Sequence, residues 1–451
     1  ILQMIDLKLS EIAISINGDF CGEDKIIKGV STDTRTIKKD QLFIGLRGPN
    51  FNGNEFINVA KKNGAAACVV DSNIVNDIQT IHVKDTKLAL GDLARVWRKR
   101  LSSVFIGITG SNGKTTLKEM VGTCFSQNHK TFNTAGNYNN DIGMPLMILD
   151  MNNTYEYAVL EMGASKPGDI KYLVDVAYPD VVLINNAAPA HLDGFKSING
   201  VANAKGEILQ GKVTPKFAIL NHDDSFYNLW AEMASNSEIM TFGSNSDAMI
   251  YPERIKLEKN YTSFDLRAPE GSINIHLKLL GMHNVLNACA AAAVLLSQSK
   301  TLSEIKNGLE ATTPVSGRLV IKESQYGHEI IDDTYNSNPK SMSVAIEFLR
   351  KREKTKVFVM GDMLELGKEK ESLHKELGKK LNDADIDYLF GIGELTKHAV
   401  DSFKNNGFWY EDIDCMIEDI ASMMLKNREM SILVKGSRSM KMERVVKVLS
   451  V

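Results

Sequence analysis

Short apolar runs recur along the chain, and between residues 104 and 313 each is followed by a stretch with apolar residues at helical spacing. "VFIGITG" (104–110), "YAVLEMG" (157–163), "DVVLINNA" (180–187) and "FAILN" (217–221) have the length and composition of buried strands. After the first of these, "KTTLKEMVGTCF" puts Leu117, Met120, Val121 and Cys124 on one helical face. Alternation of this kind predicts a mostly parallel sheet wrapped by helices. The rhythm breaks from Met249 to Leu280, where strict alternation and a "PEG" turn predict antiparallel strands appended to that sheet. The alanine-rich "HNVLNACAAAAVLLSQ" then predicts a closing helix.

The flanking segments carry their own patterns. Residues 1–102 hold "GVSTDTR" and "LFIGLRG", then "FINVAKKNGAAACVV", an amphipathic helix running into a strand, and read as a small α/β unit with polar turns. Beyond Pro314, "EIIDDTY", "KVFVMGD", "DYLFGIG" and "SILVKGS" are strands separated by helical stretches of the length a βα repeat needs. The expected organisation is therefore α/β throughout, in three domains: 1–102, 103–313 and 314–451. A length of 451 residues agrees, at ~150 residues per domain.

The chemistry concentrates at the first strand-to-helix turn. "TGSNGKTT" offers Gly110, Ser111, Asn112, Gly113, Lys114, Thr115 and Thr116 where a phosphate loop belongs. Glycines let backbone N–H groups converge, the helix start adds positive dipole, Lys114 supplies a cation and Thr115 a magnesium ligand. The spacing departs from the strict pattern, since five residues rather than four separate Gly107 from Gly113.

Bulk properties narrow the field. With 43% hydrophobic and 24% charged residues and 10 prolines, the composition is that of an ordinary globular protein. A net charge of −3 without a sustained basic stripe argues against nucleic acid as partner. No run reaches the ~18 apolar residues of a membrane span and no signal pattern opens the chain, so a cytoplasmic protein is expected. Met4 starts "MIDLKLSEIA", so Ile1–Gln3 are expected to be either upstream sequence or an added remnant. The five scattered cysteines read as reduced packing residues.

Single polar residues at later strand ends have plain readings: a helix cap for Glu161, a core histidine for His191, a solvated lysine for Lys205. Their order after a phosphate loop asks for a joint one. With "GNYNNDIGMPL", "EMGASKPGDI", "AAPAHLDGF", "AKGEI", "GMHNVLNACAA", "SGRL", "DDTYNSNPKSM", "GDMLELG" and "VKGSRSMKME" spread between residues 109 and 443, the chain resembles the Mur ligases, ATP-dependent amide-forming enzymes of peptidoglycan synthesis. The "SNGKTT…KEM", "GNxNNxIGxP" and "YNxNP" forms resemble the branch that adds D-alanyl-D-alanine to UDP-N-acetylmuramoyl-tripeptide.

The resemblance implies a fold and a set of roles. The fold would be a small N-terminal α/β domain, a central ATPase domain and a C-terminal Rossmann-like domain. Lys114 and the loop amides would hold ATP phosphates, with Thr115, Glu161 and His191 on two magnesium ions. Lys205 would be carbamylated, which turns a cation into a metal-binding carboxylate. Asn284 and Asn287 would lie at the adenine, and Arg318 and Asp333 at the phosphates and ribose. Ser31, Thr32, Asp33, Arg35 and Arg47 match the region that binds the uridine diphosphate end, while Asn137, Asn140, Asn336 and Asn338 line the substrate path. Lys435 and Arg438 are candidates for the acceptor carboxylate, and a monomer is expected. One departure stands out: relatives often read "DGHDF" where this chain has "FNGNEF", with Asn52 and Asn54 replacing an acid and a histidine.

ATP chemistry supplies the reaction. Phosphorylating a carboxylate gives an acyl phosphate with a competent leaving group, which an amine can then displace. The competing readings are a Mur-type ligase adding the third peptide residue, a folylpolyglutamate synthase, which the amide-rich stretches fit poorly, and a nucleotide switch that ligates nothing.

Overall fold

The strand Val104–Thr109 is the axis of the central unit. Five of its six residues are buried, and it pairs in parallel with Tyr157–Glu161 on one side and Val181–Ile184 on the other. The computed structural model describes residues 6–72, 78–258, 260–427 and 429–450, so Met4 lies outside the described residues. In it the central sheet has six parallel strands in the order Thr131–Asn133, Tyr157–Glu161, Val104–Thr109, Val181–Ile184, Phe217–Asn221, Glu238–Phe242. Loops at the C-terminal ends of these strands carry the polar motifs, as open parallel sheets require.

The antiparallel segment does not extend that sheet. Tyr251–Leu257, Thr262–Ala268 and Gly271–Leu277 form a separate three-stranded sheet, linked to the central one by a single bridge between Phe242 and Ile250. The middle strand Thr262–Ala268 pairs antiparallel with both of its neighbours. The apolar face, with Phe264, Leu266, Ile275 and Leu277, is buried in one core with the helix Met282–Ser297. That helix is buried on nearly every side, and its run of alanines allows close approach.

The first unit has a five-stranded sheet in the order Asp19–Phe20, Gln79–His82, Ala67–Val70, Leu42–Ile44, Val30–Ser31. All neighbours are parallel except the first pair. Its helix Thr86–Arg98, capped by Asp85, faces the central unit. There Trp97 donates to the Met151 carbonyl (3.0 Å), and the buried Arg98 guanidinium donates to the carbonyls of Ala177 (2.7 Å) and Tyr178 (3.1 Å). One hydrophobic core runs from Leu7 through Leu90 and Leu93 to Leu160, Ile184 and Trp230, across both units.

The third unit is built differently. Its sheet runs Val320–Glu323, Glu329–Asp333, Met430–Lys435, Thr355–Gly361, Tyr388–Ile392, Asn406–Tyr410, with only the first strand antiparallel. Helices cover both faces, giving two cores whose described members all come from Leu319 onward. Among the described residues, no helix is long and apolar enough to cross a membrane.

Close packing around the loop helix gives a direct test. Gly308, in the helix Leu302–Ala311, lies so near the helix Lys114–Ser126 that a Cβ there would sit 2.4 Å from Cys124 Cα. Gly308→Val should therefore cost about 1–3 kcal/mol, read as a lower denaturant midpoint. An unchanged midpoint would mean that the two helices can separate freely.

Candidate active site at the phosphate loop

The loop takes its shape from two glycines and three asparagines. Gly113 has φ +79°, and a Cβ there would stand 2.7 Å from Asn185 Nδ2, so both conformation and space call for glycine. Ser111 and Asn112 donate their backbone N–H groups to the Asn186 carbonyl and Asn186 Oδ1, both at 2.9 Å. Asn185 Nδ2 donates to the Asn112 carbonyl and to Asn287 Oδ1, each at 3.0 Å. Asn185 and Asn186, from "LINNA", thus hold the loop from the neighbouring strand end; sequence reasoning passed over them because amides at a strand end usually cap a turn.

What the loop leaves free suits an anion. The helix begins at Lys114, and its first-turn N–H groups have no acceptor within the helix. Lys114 Nζ folds back onto the Gly110 carbonyl at 2.7 Å, a contact that a phosphate oxygen could replace. Burial pushes its amine below the ordinary value, with Glu161 opposing and Arg318 reinforcing. Arg318 reaches in from the third unit: it donates to Thr115 Oγ1 at 3.2 Å, stacks over the Tyr335 ring at 4.1 Å and leaves a buried Nε without a partner. An unpaired guanidinium N–H beside a phosphate loop fits a nucleotide phosphate.

Glu161 is the oxygen centre of the site. Its strand pairs with the loop strand in a register that puts it opposite Ile108, immediately before the loop. Its carboxylate accepts from Thr115 Oγ1 (2.9 Å) and from Asn139 Nδ2 (2.8 Å). A hydroxyl and a carboxylate in contact at the phosphate end match the one or two protein oxygens that magnesium takes alongside nucleotide oxygens. Asn139 lies between the two asparagines singled out in that motif, and only the density of amides could have signalled it.

His191 and Lys205 are close enough to Lys114 to feel its charge. His191, in a left-handed turn with φ +52°, points Nδ1 at Glu365 of the third unit, and Leu192 N–H donates to the Glu365 carbonyl at 3.0 Å. Lys205 is 2% exposed; its Nζ lies 5.6 Å from the centre of the Phe195 ring and, among the described residues, has no ion-pair partner. The plain reading of a solvated lysine falls away. Burial, reinforced by Lys114, pushes its amine down to about 7.

A cavity of about 1250 Å³ between the central and third units gathers most of the remaining candidates. Ser111, Asn112, Gly113, Lys114, Thr116, Asn137, Asn140, Glu161 and His191 line it from one side, with Asn284 and Asn287. Arg318, Asp333, Asn336, Asn338, Lys435 and Arg438 line it from the other. Several amides and charges are already committed to protein partners. Asn284 donates to the Leu280 carbonyl (2.9 Å) and accepts from Asn287 (3.2 Å). Asn338 donates to Asn112 Oδ1 across the seam at 2.8 Å. Lys435 is buried against Asp333 at 2.6 Å, where burial pushes the lysine down and the carboxyl up; Arg438 is exposed beside Glu443.

The first-unit candidates do not line this cavity. Ser31 and Asp33 close a hydroxyl turn, Asp33 pairs with Arg35 at 2.6 Å, and Arg47 pairs with Asp71 at 2.9 Å. Thr32 belongs to the same turn. Asn54, the buried replacement for the histidine of that pattern, donates to Asp71 Oδ1 (2.7 Å) and to Asn52 Oδ1 (2.9 Å). The two replacements thus form an amide bridge that supports the Arg47–Asp71 pair.

Comparison with known proteins agrees with this geometry. Residues 26–98 match the Mur ligase family catalytic domain, 108–295 the Mur ligase middle domain and 317–438 the Mur ligase glutamate ligase domain. The chain is 38% identical to UDP-N-acetylmuramoyl-tripeptide–D-alanyl-D-alanine ligase of Escherichia coli K12 over 99% of both chains. The chain belongs to the Mur ligase family. Identity to the Bacillus subtilis enzyme of the same name is 34%, again over 99% of both. Among solved structures, MurF from Acinetobacter baumannii superposes with a TM-score of 0.95 at 32% identity over the whole of both chains. MurF from Thermotoga maritima in complex with ADP gives 0.84 at 28%, covering 94% of this chain and 97% of that one. A folylpolyglutamate synthase from Mycobacterium tuberculosis, at 17% identity and TM-score 0.66, shares the fold alone.

The buried lysine sets up a thermodynamic test. The folded protein releases the Lys205 proton near pH 7, whereas an exposed lysine holds it to about 10.5. The cost of keeping this residue is therefore full below pH 7 and shrinks as pH rises toward 10.5. Lys205→Met should be more stable than wild type in metal-free buffer depleted of carbon dioxide, by the widest margin below pH 7, with the gap closing above it. A margin that does not vary with pH would contradict a buried, unpaired amine.

Proposed function

We propose that this chain is an ATP-dependent, ADP-forming ligase that joins D-alanyl-D-alanine to UDP-N-acetylmuramoyl-tripeptide, giving the pentapeptide precursor of peptidoglycan. The observation that carries this reading is the meeting of Lys114, Thr115, Glu161 and Arg318 at one loop, with the last supplied by another unit. Full-length likeness to D-alanyl-D-alanine ligases supports the substrate assignment.

The resemblance to Mur ligases, together with the geometry, supports a set of residue roles. Residues 1–102 would bind the uridine diphosphate end, 103–313 the nucleotide, and 314–451 the acceptor and part of the nucleotide. Lys114, Arg318 and the first-turn N–H groups would bind and orient phosphate oxygens where negative charge grows during transfer. Magnesium, when bound, would neutralise phosphate charge; Thr115 and Glu161 would hold one ion and His191 would serve a second. Glu365, on His191, lines the same cavity from the third unit. Asn137, Asn140, Asn336 and Asn338 would fix substrate amides and carboxylates from both walls. Lys435, buried on Asp333, would act on the acceptor through electrostatics and through the position of Asp333, which leaves Arg438 as the exposed cation for the carboxylate. A monomeric, cytoplasmic protein fits a nucleotide-fed reaction on soluble substrates.

Purified protein should release phosphate from ATP only when both the UDP-tripeptide and D-alanyl-D-alanine are present, and Lys114→Ala should lower turnover by about a hundredfold or more. Phosphate release that ignores the dipeptide would favour the nucleotide switch.

Lys205 would be carbamylated: a neutral buried amine is the form that attacks carbon dioxide, and the carbamate places oxygens where an ammonium would repel metal. Lys205→Ala should lose activity and regain part of it with a short carboxylic acid. Rescue by amines alone, or full activity in the variant, would remove Lys205 from the site.

A further inference from the structure

The "KEM" that follows the phosphate loop has no part in the chemistry above, yet its lysine is buried. Lys118 is 1% exposed. It lies one turn beyond Thr115, on the helix face that packs against the ends of the strands Thr131–Asn133 and Tyr157–Glu161. Its Nζ donates to the Thr134 carbonyl at 2.7 Å and pairs with Glu119 at 2.6 Å. One turn further on, Gly122 continues this face, and a Cβ there would stand 2.0 Å from Asn133 Nδ2. The helix therefore meets the 133–134 step at two successive turns, once by close approach and once through a charged donor.

Thr134 passes the contact on. Its Oγ1 accepts the Glu161 backbone N–H at 3.0 Å, and its own N–H donates to the Val159 carbonyl at 3.0 Å. Beyond Thr134 runs the amide loop, in which Asn139 holds Glu161 Oε1 while Thr115 holds Oε2. A closed path thus runs from Thr115 along the helix to Lys118, across to Thr134 and back to both ends of Glu161. A buried ammonium is a costly way to hold two elements together if an apolar contact would serve. A charged donor fixes distance and direction more tightly than an apolar contact does.

We propose that Lys118 is a positioning residue that locks the amide loop 134–143 to the phosphate-loop helix and so sets where the Glu161 carboxylate stands. The proposal rests on the reading of Glu161 as a metal ligand, but one arm of its test does not. Amide hydrogen exchange in the protein without nucleotide should rise at least tenfold across 134–143 and at Glu161 in Lys118→Met, while the rest of the central sheet stays protected. Manganese binding in the presence of ADP, followed by electron paramagnetic resonance, should weaken by about tenfold, and kcat should fall. Lys118→Arg, which keeps charge and donor, should recover part of the protection and of the metal affinity.

Wild-type exchange across 134–143 in Lys118→Met would overturn the proposal, as would loss of protection spread evenly through the central unit. Raised exchange with unchanged manganese affinity would retain the lock but reject Glu161 as a metal ligand, and so count against the function reading rather than the loop contact. If Lys118→Met does not fold, Thr134→Val opens the same path from the other end. It should raise exchange at Glu161 and across 134–143, and wild-type exchange there would overturn the proposal.

Discussion

Main-chain pairing between two parallel strands fixes the site before any side chain acts. Because Ile108 stands opposite Glu161, the carboxylate emerges beside the loop that follows Thr109, and Thr115 meets it at the start of the next helix. A slip of one residue would turn Glu161 to the other face of the sheet and leave the loop with no oxygen ligand from its neighbour. The asparagines at 185 and 186 depend on the same rule, since Ile184 is opposite Thr109 on the other side. Loop, carboxylate and amide brace thus share one backbone register.

Units one and two are joined through a continuous apolar core, with Trp97 and Arg98 stitched to main-chain carbonyls. The third reaches the central unit through polar contacts that include Arg318 on Thr115, Asn338 on Asn112, and Glu365 on His191 and Leu192. A site split along such a seam depends on both units standing where these contacts hold them.

Much of this was legible in the sequence because it depends on local rules. Strand-to-helix periodicity located the phosphate loop and the parallel strands, and the order of motifs located Glu161, His191 and Arg318. What depended on three-dimensional pairing was not legible. The strands of 251–277 alternate as any sheet strands do, and nothing in that pattern says whether they join a neighbouring sheet or satisfy one another. Lys435 looked like a free cation at a strand end, but its strand lies beside the one carrying Asp333, which brings the two side chains into a buried pair. Asn287, which the resemblance puts at the adenine, is held by Asn185 and Asn284 and stands against Gly113, a pairing that no periodicity announces. Nothing in the sequence singled out Lys118, because burial of a lysine leaves no mark in composition or spacing.

The polar seam has a calorimetric consequence. Parting contacts between guanidinium, amide and carboxylate groups adds little to a change in heat capacity, whereas unfolding a core exposes the buried Leu, Ile and Val side chains and adds much. A calorimetric trace therefore registers the loss of a core far more strongly than the loss of these seam contacts.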